Sequence, residues 1–104
     1  MVFISKQAKI DLDNIVIGLL EWNKIELTVD EVMQYVDDIV AICYQLDSTV
    51  HHHKATYNEH LKYGAYSYPY KRNKKTIWDI IYNINNKQNN ILVNKIISNY
   101  TTVS

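Results

Sequence analysis

Apolar residues in the first half of the chain recur at steps of three and four. Ala8, Leu12, Ile15, Leu19 and Trp22 fall on one face of a helix that Ser5 can cap. Asp11 and Asp13 come early in this helix and suit its positive end. After "NKIE" (23–26) the pattern restarts. Thr28 and Glu31 have the spacing of a capping box, and Leu27 and Val32 that of a hydrophobic staple. Val29, Val32, Val36, Ile39, Cys43 and Leu46 then share a face, widened by Met33 and Val40. A short link between two such helices makes an antiparallel hairpin. Ahead of it, Val2 to Ile4 are β-branched or aromatic and too few for a helix, so they predict a short first strand.

Between Asp47 and about Lys62 the periodicity disappears, and "DSTVHHHKATYNEH" predicts a long loop with room for a helical turn. The last part of the chain has period two. Tyr66, Tyr68 and Tyr70 share one face of a strand, with Ala65, Ser67 and Pro69 opposite. After the turn "KRNKK" (71–75), Trp78, Ile80, Tyr82 and Ile84 share a face, with Ile77, Asp79 and Ile81 opposite. "NNKQNN" (85–90) is a second turn and "ILVNKIIS" (91–98) a third strand, completing an antiparallel meander. The expected fold is therefore α+β, with order β-α-α-β-β-β. It forms a single domain over residues 1–104, and the helical hairpin covers one face of the sheet. The other sheet face stays partly open, toward the basic half.

The 104 residues fit one domain. No apolar run approaches the roughly 20 residues of a membrane span, and "MVFISKQAK" has no secretion-signal pattern. Cys43, the lone cysteine, lies in an apolar helical pattern and reads as a buried structural thiol. These features predict a cytoplasmic protein. The formal net charge is zero, but its distribution is uneven. Asp11 to Asp47 holds nine acids and one base, Lys24; Ser48 to Ser104 holds eight bases and two acids, Glu59 and Asp79. Such polarity indicates a charged partner that net charge conceals.

Three stretches resemble toxins of the RelE/ParE superfamily, from type II toxin–antitoxin modules. "ISKQAKIDLDNI" (4–15) is similar to their opening. "YKRNKKTIWDIIYNI" (70–84) is similar to their central hairpin, and "ILVNKIISNY" (91–100) to their last strand and tail. The resemblance covers nearly the whole chain in order. It implies a RelE/ParE-like two-layer fold and a cognate antitoxin as partner. It also implies one of two activities, ribosome-dependent cleavage of mRNA or inhibition of DNA gyrase, unless the chain is an inactive relative that only binds its partner. Asp79 stands where many relatives carry an arginine, and Ser98 and Asn99 where some carry a histidine. Tyr100 can take the C-terminal aromatic position.

RNA cleavage through the 2′-hydroxyl needs a base, positive charge at the phosphorane and an acid for the leaving oxygen. His60, Arg72 and Tyr100 are the catalytic candidates, with Glu59 as a further proton carrier. Lys62, Lys71, Arg72, Lys74, Lys75 and Lys95 are the candidate nucleic-acid or partner contacts. The alternative reading of "KRNKK" is a solvated turn whose lysines blunt a sheet edge. The tyrosines either stack bases or form the sheet's core face; the core reading is favoured because the hairpin needs an apolar sheet surface. Asp30, Glu31, Asp37 and Asp38 read as a solvated acidic face that repels RNA. His51, His52 and His53 are adjacent and point in different directions, so no metal site or cofactor is expected.

Overall fold

The computed structural model describes residues 1–21, 28–48, 51–72, 76–85 and 90–98. Its elements follow the expected order: β1 (Val2–Ile4), α1 (Lys6–Glu21), α2 (Val29–Tyr44), α3 (Asn58–Leu61), β2 (Tyr66–Lys71), β3 (Ile77–Asn85) and β4 (Asn90–Ser98). A 3-10 turn at Leu46–Ser48 follows α2. The four strands form one sheet in the order β1-β4-β3-β2. β2, β3 and β4 are the antiparallel meander, while β1 joins parallel to β4, pairing Val2 with Ile91 and Ile4 with Val93.

Local chemistry sets the helix starts. The Ser5 hydroxyl accepts from the Ala8 amide at 3.1 Å. At α2 both halves of the capping box form: the Glu31 amide donates to Thr28 Oγ1 at 3.1 Å, and the Thr28 amide donates to Glu31 Oε1 at 3.4 Å. Leu27 and Trp22 fall outside the described residues.

α1 and α2 lie on one sheet face. Ala8, Leu12 and Ile15 meet Val36, Ile39, Cys43 and Leu46 over Trp78, Ile80, Tyr82, Ile91, Val93 and Ile96. Tyr66, Tyr68 and Tyr70 pack against the same core, so the period-two aromatic face of β2 is structural. Leu19 and Val40 are partly buried against this core. Val29 and Met33 are not on it. Both are exposed, because Val29 is the first residue of α2 and Met33, one turn later, lies outside the buried stripe of Val32, Val36 and Ile39. Burial of Cys43 pushes its thiol up to about 12, the behaviour of an unreactive core thiol.

β4 alone breaks the period-two rule. Its register slips between Ile81 and Tyr82, so that Ile81 pairs with Lys95 and Tyr82 with Val93. Asn94 is the extra residue of a β-bulge. The bulge keeps Ile91 and Val93 on the core face before it and Ile96 after it. Unbroken alternation would put Lys95 in the core instead.

The bulge also gives Asp11 a different role from the one its sequence position indicates. Asp11 lies beyond the first turn of α1, which carries no acid, and is 7% exposed. β1 pairs only with the first part of β4, leaving the backbone beyond Val93 without a strand neighbour on that side. The Asp11 carboxylate fills that gap. It accepts from the Ile96 amide at 3.0 Å, Lys95 Nζ at 2.9 Å and Gln7 Nε2 at 3.0 Å. A buried carboxylate persists when it is paired and hydrogen-bonded in this way.

The expected loop after Asp47 is organised. Lys54 bridges Tyr66, the Ala55 amide donates to Ala65 O at 2.8 Å and the Ser67 amide donates to His53 O at 2.9 Å. Residues 53–55 thus cover the outer edge of β2 at its start, which would otherwise expose unpaired backbone. The chain then crosses to the second sheet face, forms α3 and returns into β2. Among the described residues, no helix is long and apolar enough to cross a membrane.

Candidate functional site

The sheet separates the two best sequence candidates. Arg72 follows β2 and turns toward the helices. Its Nη1 donates to Asp38 Oδ2 of α2 at 2.5 Å and lies 3.4 Å from the Tyr70 hydroxyl. The guanidinium stacks 4.0 Å above the Tyr35 ring, a cation–π contact. Tyr35 is itself held from the sheet: Trp78 Nε1 donates to its hydroxyl at 2.9 Å, and the rings meet edge to face at 6.1 Å. The Asp38 carboxyl is held below its ordinary value by the Arg72 hydrogen bond first and by Gln34 second. Asp38 departs from the solvated acidic face expected of α2: its carboxylate pairs with Arg72 and accepts from Gln34 Nε2 at 2.8 Å.

His60 is on the opposite side. Alternation along β3 puts Trp78 and Ile80 toward the helices and Asp79 away from them. His60 of α3 faces Asp79, with Nε2 3.6 Å from Oδ2. His60 is 6% exposed, and Tyr57 meets its ring edge to face at 5.3 Å. Burial raises the Asp79 carboxyl above its ordinary value, with the His60 charge partly offsetting this. Asp79, the residue that departs from the resembled pattern, is therefore the partner of the histidine candidate.

The remaining candidates are dispersed. Lys62 is exposed and donates to Glu59 at 3.2 Å within the same turn. Lys95 is held by Asp11 and lies 5.3 Å from the Tyr63 ring centroid. Lys71, at the end of β2, is exposed. Lys74, Lys75 and Tyr100 fall outside the described residues. Arg72 and Lys95 are thus engaged by acids of the first half of the chain, Asp38 and Asp11. Part of the charge segregation seen along the sequence is neutralised by folding.

A third cluster involves His52, in the segment expected to be a long loop. Its Nδ1 lies 2.7 Å from the Tyr82 hydroxyl. Its ring meets Tyr82 and Tyr66 edge to face at 5.6 and 5.9 Å, and those two tyrosines stack at 5.7 Å. Burial, with Tyr66 and Tyr68 nearby, pushes the Tyr82 phenol up to about 12. Among the described residues, no three His, Cys, Asp or Glu side chains converge to hold a metal ion. Shallow clefts are present among the described residues. One, of about 290 Å³, lies between the end of α2 and Tyr68; another, of about 340 Å³, lies beside Phe3 and Leu92. Neither is lined by a sequence-predicted site residue.

In comparisons with known proteins, no family model, curated protein or solved structure matches the chain at a significant level.

Proposed function

We propose that this protein is a toxin of a type II toxin–antitoxin module that acts in the cytoplasm by binding its target rather than by cutting RNA. The observation that carries the choice of binding over cutting is the placement of Arg72. An arginine that stabilises a phosphorane must present free N–H donors to it. Arg72 instead lies against Asp38 and Tyr35 on the helix side, across the sheet from His60. The toxin reading itself rests on the three sequence stretches and on an element order that agrees with what they imply. A protein target such as gyrase fits this placement better than a message does. Its cognate antitoxin would be a small protein that masks the binding surface.

The His60–Asp79 pair favours a second reading, an mRNA interferase. A histidine beside a carboxylate is a common way to hold a general base. Induced expression, followed by primer extension on abundant messages and a gyrase supercoiling assay, separates the two. The binding reading expects growth arrest without new 5′ ends. New 5′ ends that vanish in His60→Ala would replace it with the second reading.

A further inference from the structure

The cleft of about 340 Å³ lies at the end of the sheet where β1 joins β4, and its floor is fixed by the strand register. Leu92 pairs with Phe3 across the parallel β1–β4 ladder and with Asn83 across the antiparallel β3–β4 ladder. The three side chains therefore form one row over three strands. Val2, Ile91 and Val93 belong to the core beneath the helices, so alternation puts the row of Phe3, Leu92 and Asn83 on the opposite face. Asn85 pairs with Asn90 two residues further along β3 and faces the same way. Leu92 is on an interior strand and is still 43% exposed, and Phe3 beside it is 47% exposed. The row is open to a ligand.

The lining is mixed and uncharged. Besides Phe3, Leu92 and the three asparagines it includes only Ile84 and Ile91, which pack with the core. Asn83 is exposed, and its Oδ1 accepts from the Ala65 amide at 2.9 Å. That bond sets which way the carboxamide is turned and leaves the Nδ2 hydrogens as the donors it can offer. Asn85 and Asn90 have partners within the chain, so the ligand's hydrogen bond is assigned to Asn83.

These features select a class of ligand. A phosphate or carboxylate calls for a cationic or strongly donating site, and no charged residue lines the cleft. A purely aliphatic group would cover the Asn83 amide without giving it an acceptor. Neighbouring strands lie about 4.8 Å apart, so Phe3 and Asn83 stand on the order of 10 Å apart with Leu92 midway. A flat, neutral, bicyclic ring with acceptors on its edge spans such a row. Open sheet faces bind bases in this way, by stacking on an aromatic side chain with a polar group at the base edge. Purine ring nitrogens accept from an asparagine amide.

We propose that this cleft binds a purine base, stacked on Phe3 and Leu92 and hydrogen-bonded by Asn83 Nδ2. The site goes beyond the toxin reading and does not depend on it. The base can come from a free nucleoside or from an unpaired purine of a single-stranded nucleic acid. The cleft reads the base alone in either case.

The test is a nuclear magnetic resonance titration of the full chain, labelled with nitrogen-15, with adenosine, guanosine and uridine. Saturable shifts are expected with the two purines at the Phe3 and Leu92 amides and at the Asn83 side-chain amide, with uridine binding more weakly. Phe3→Leu keeps an apolar side chain but removes the ring, and should weaken adenosine binding about ten-fold, as for loss of one base–aromatic stack. Asn83→Asp keeps an acceptor for Ala65 but removes the donor, and should weaken it by a similar factor. It supplies the test if the Phe3 variant fails to fold. Adenosine monophosphate should bind as adenosine does. A short oligoadenylate that binds more than about ten-fold tighter than adenosine identifies the source as single-stranded nucleic acid; equal affinity identifies it as the free nucleoside. Absence of saturable shifts with both purines overturns the proposal. So does uridine binding as tight as adenosine binding, or adenosine binding that either substitution leaves unchanged.

Discussion

Arg72 and Asp38 join the end of the β2–β3 hairpin to the middle of α2, with the guanidinium held between the Asp38 carboxylate and the Tyr35 ring. Trp78 closes the set from β3 by donating to the Tyr35 hydroxyl. The most basic stretch of the sequence thereby contributes its arginine to holding the two layers together.

This clamp predicts that Arg72→Ala lowers the melting temperature, and that Arg72→Lys recovers only part of the loss. A lysine cannot reproduce the planar stack over Tyr35 while reaching Asp38. The pH dependence follows from Asp38, whose folded pKa is below its ordinary 3.8. The clamp's charge contribution is present above pH 3.8 and disappears as pH falls through the lower folded value. Thermal melts of wild type and Arg72→Ala should therefore differ less in strong acid than at pH 6.

Truncating Asp11 should be far more damaging than its polarity indicates. Asp11→Ala leaves the Ile96 amide and the Lys95 ammonium without their acceptor. Breaking such a buried pair costs about 3 kcal/mol. Urea unfolding measures this directly. Asp13→Ala, at an exposed position of the same helix, should change stability by less than about 0.5 kcal/mol.

The two glycines make opposite predictions. Gly18 lies inside α1, and an added Cβ would meet nothing within 4 Å. Gly18→Ala should stabilise the protein by about 1 kcal/mol. A Cβ on Gly64 would stand 2.6 Å from Tyr82 O, so Gly64→Ala should destabilise by about 1–3 kcal/mol. Equilibrium denaturation of both variants tests the close approach of Gly64 to the Tyr82 backbone.

Alkaline pH should unfold the protein through Tyr82. Its phenol is raised in the folded state from 10.0 to about 12, so its contribution is complete below pH 10 and lost as pH rises through 12. Tyrosinate absorbance should show a late-ionising step from Tyr82 that coincides with unfolding. Tyr82→Phe should remove that step, at a cost near neutral pH of about 1 kcal/mol for the lost contact with His52.

The helices, their caps and the tyrosine face of β2 were legible because each depends on local spacing. Thr28 and Glu31 are three residues apart, and Tyr66, Tyr68 and Tyr70 alternate. The parts that escaped depend on pairings distant in sequence. Asp11 looked like a helix-start acid because nothing local reveals that β1 ends early and leaves Ile96 without a strand neighbour. Asp38 looked solvated because its partner lies 34 residues away. The bulge did leave a trace: Ile91 and Val93 have one parity and Ile96 the other, with polar Asn94 and Lys95 between. The sequence marks both His60 and Asp79, one as a candidate base and one as a departure from a pattern. Their pairing was not legible, because α3 had to be placed on the second sheet face first.

The central claim is that this chain arrests growth by binding, with Arg72 a structural residue and not a phosphate contact. The most direct measurement is primer extension on abundant messages after induced expression, with growth followed in the same cultures. The account predicts growth arrest and no new 5′ ends, in wild type and in Arg72→Lys alike. New 5′ ends within translated messages that are lost in Arg72→Lys, or unimpaired growth of the wild-type culture, would contradict it.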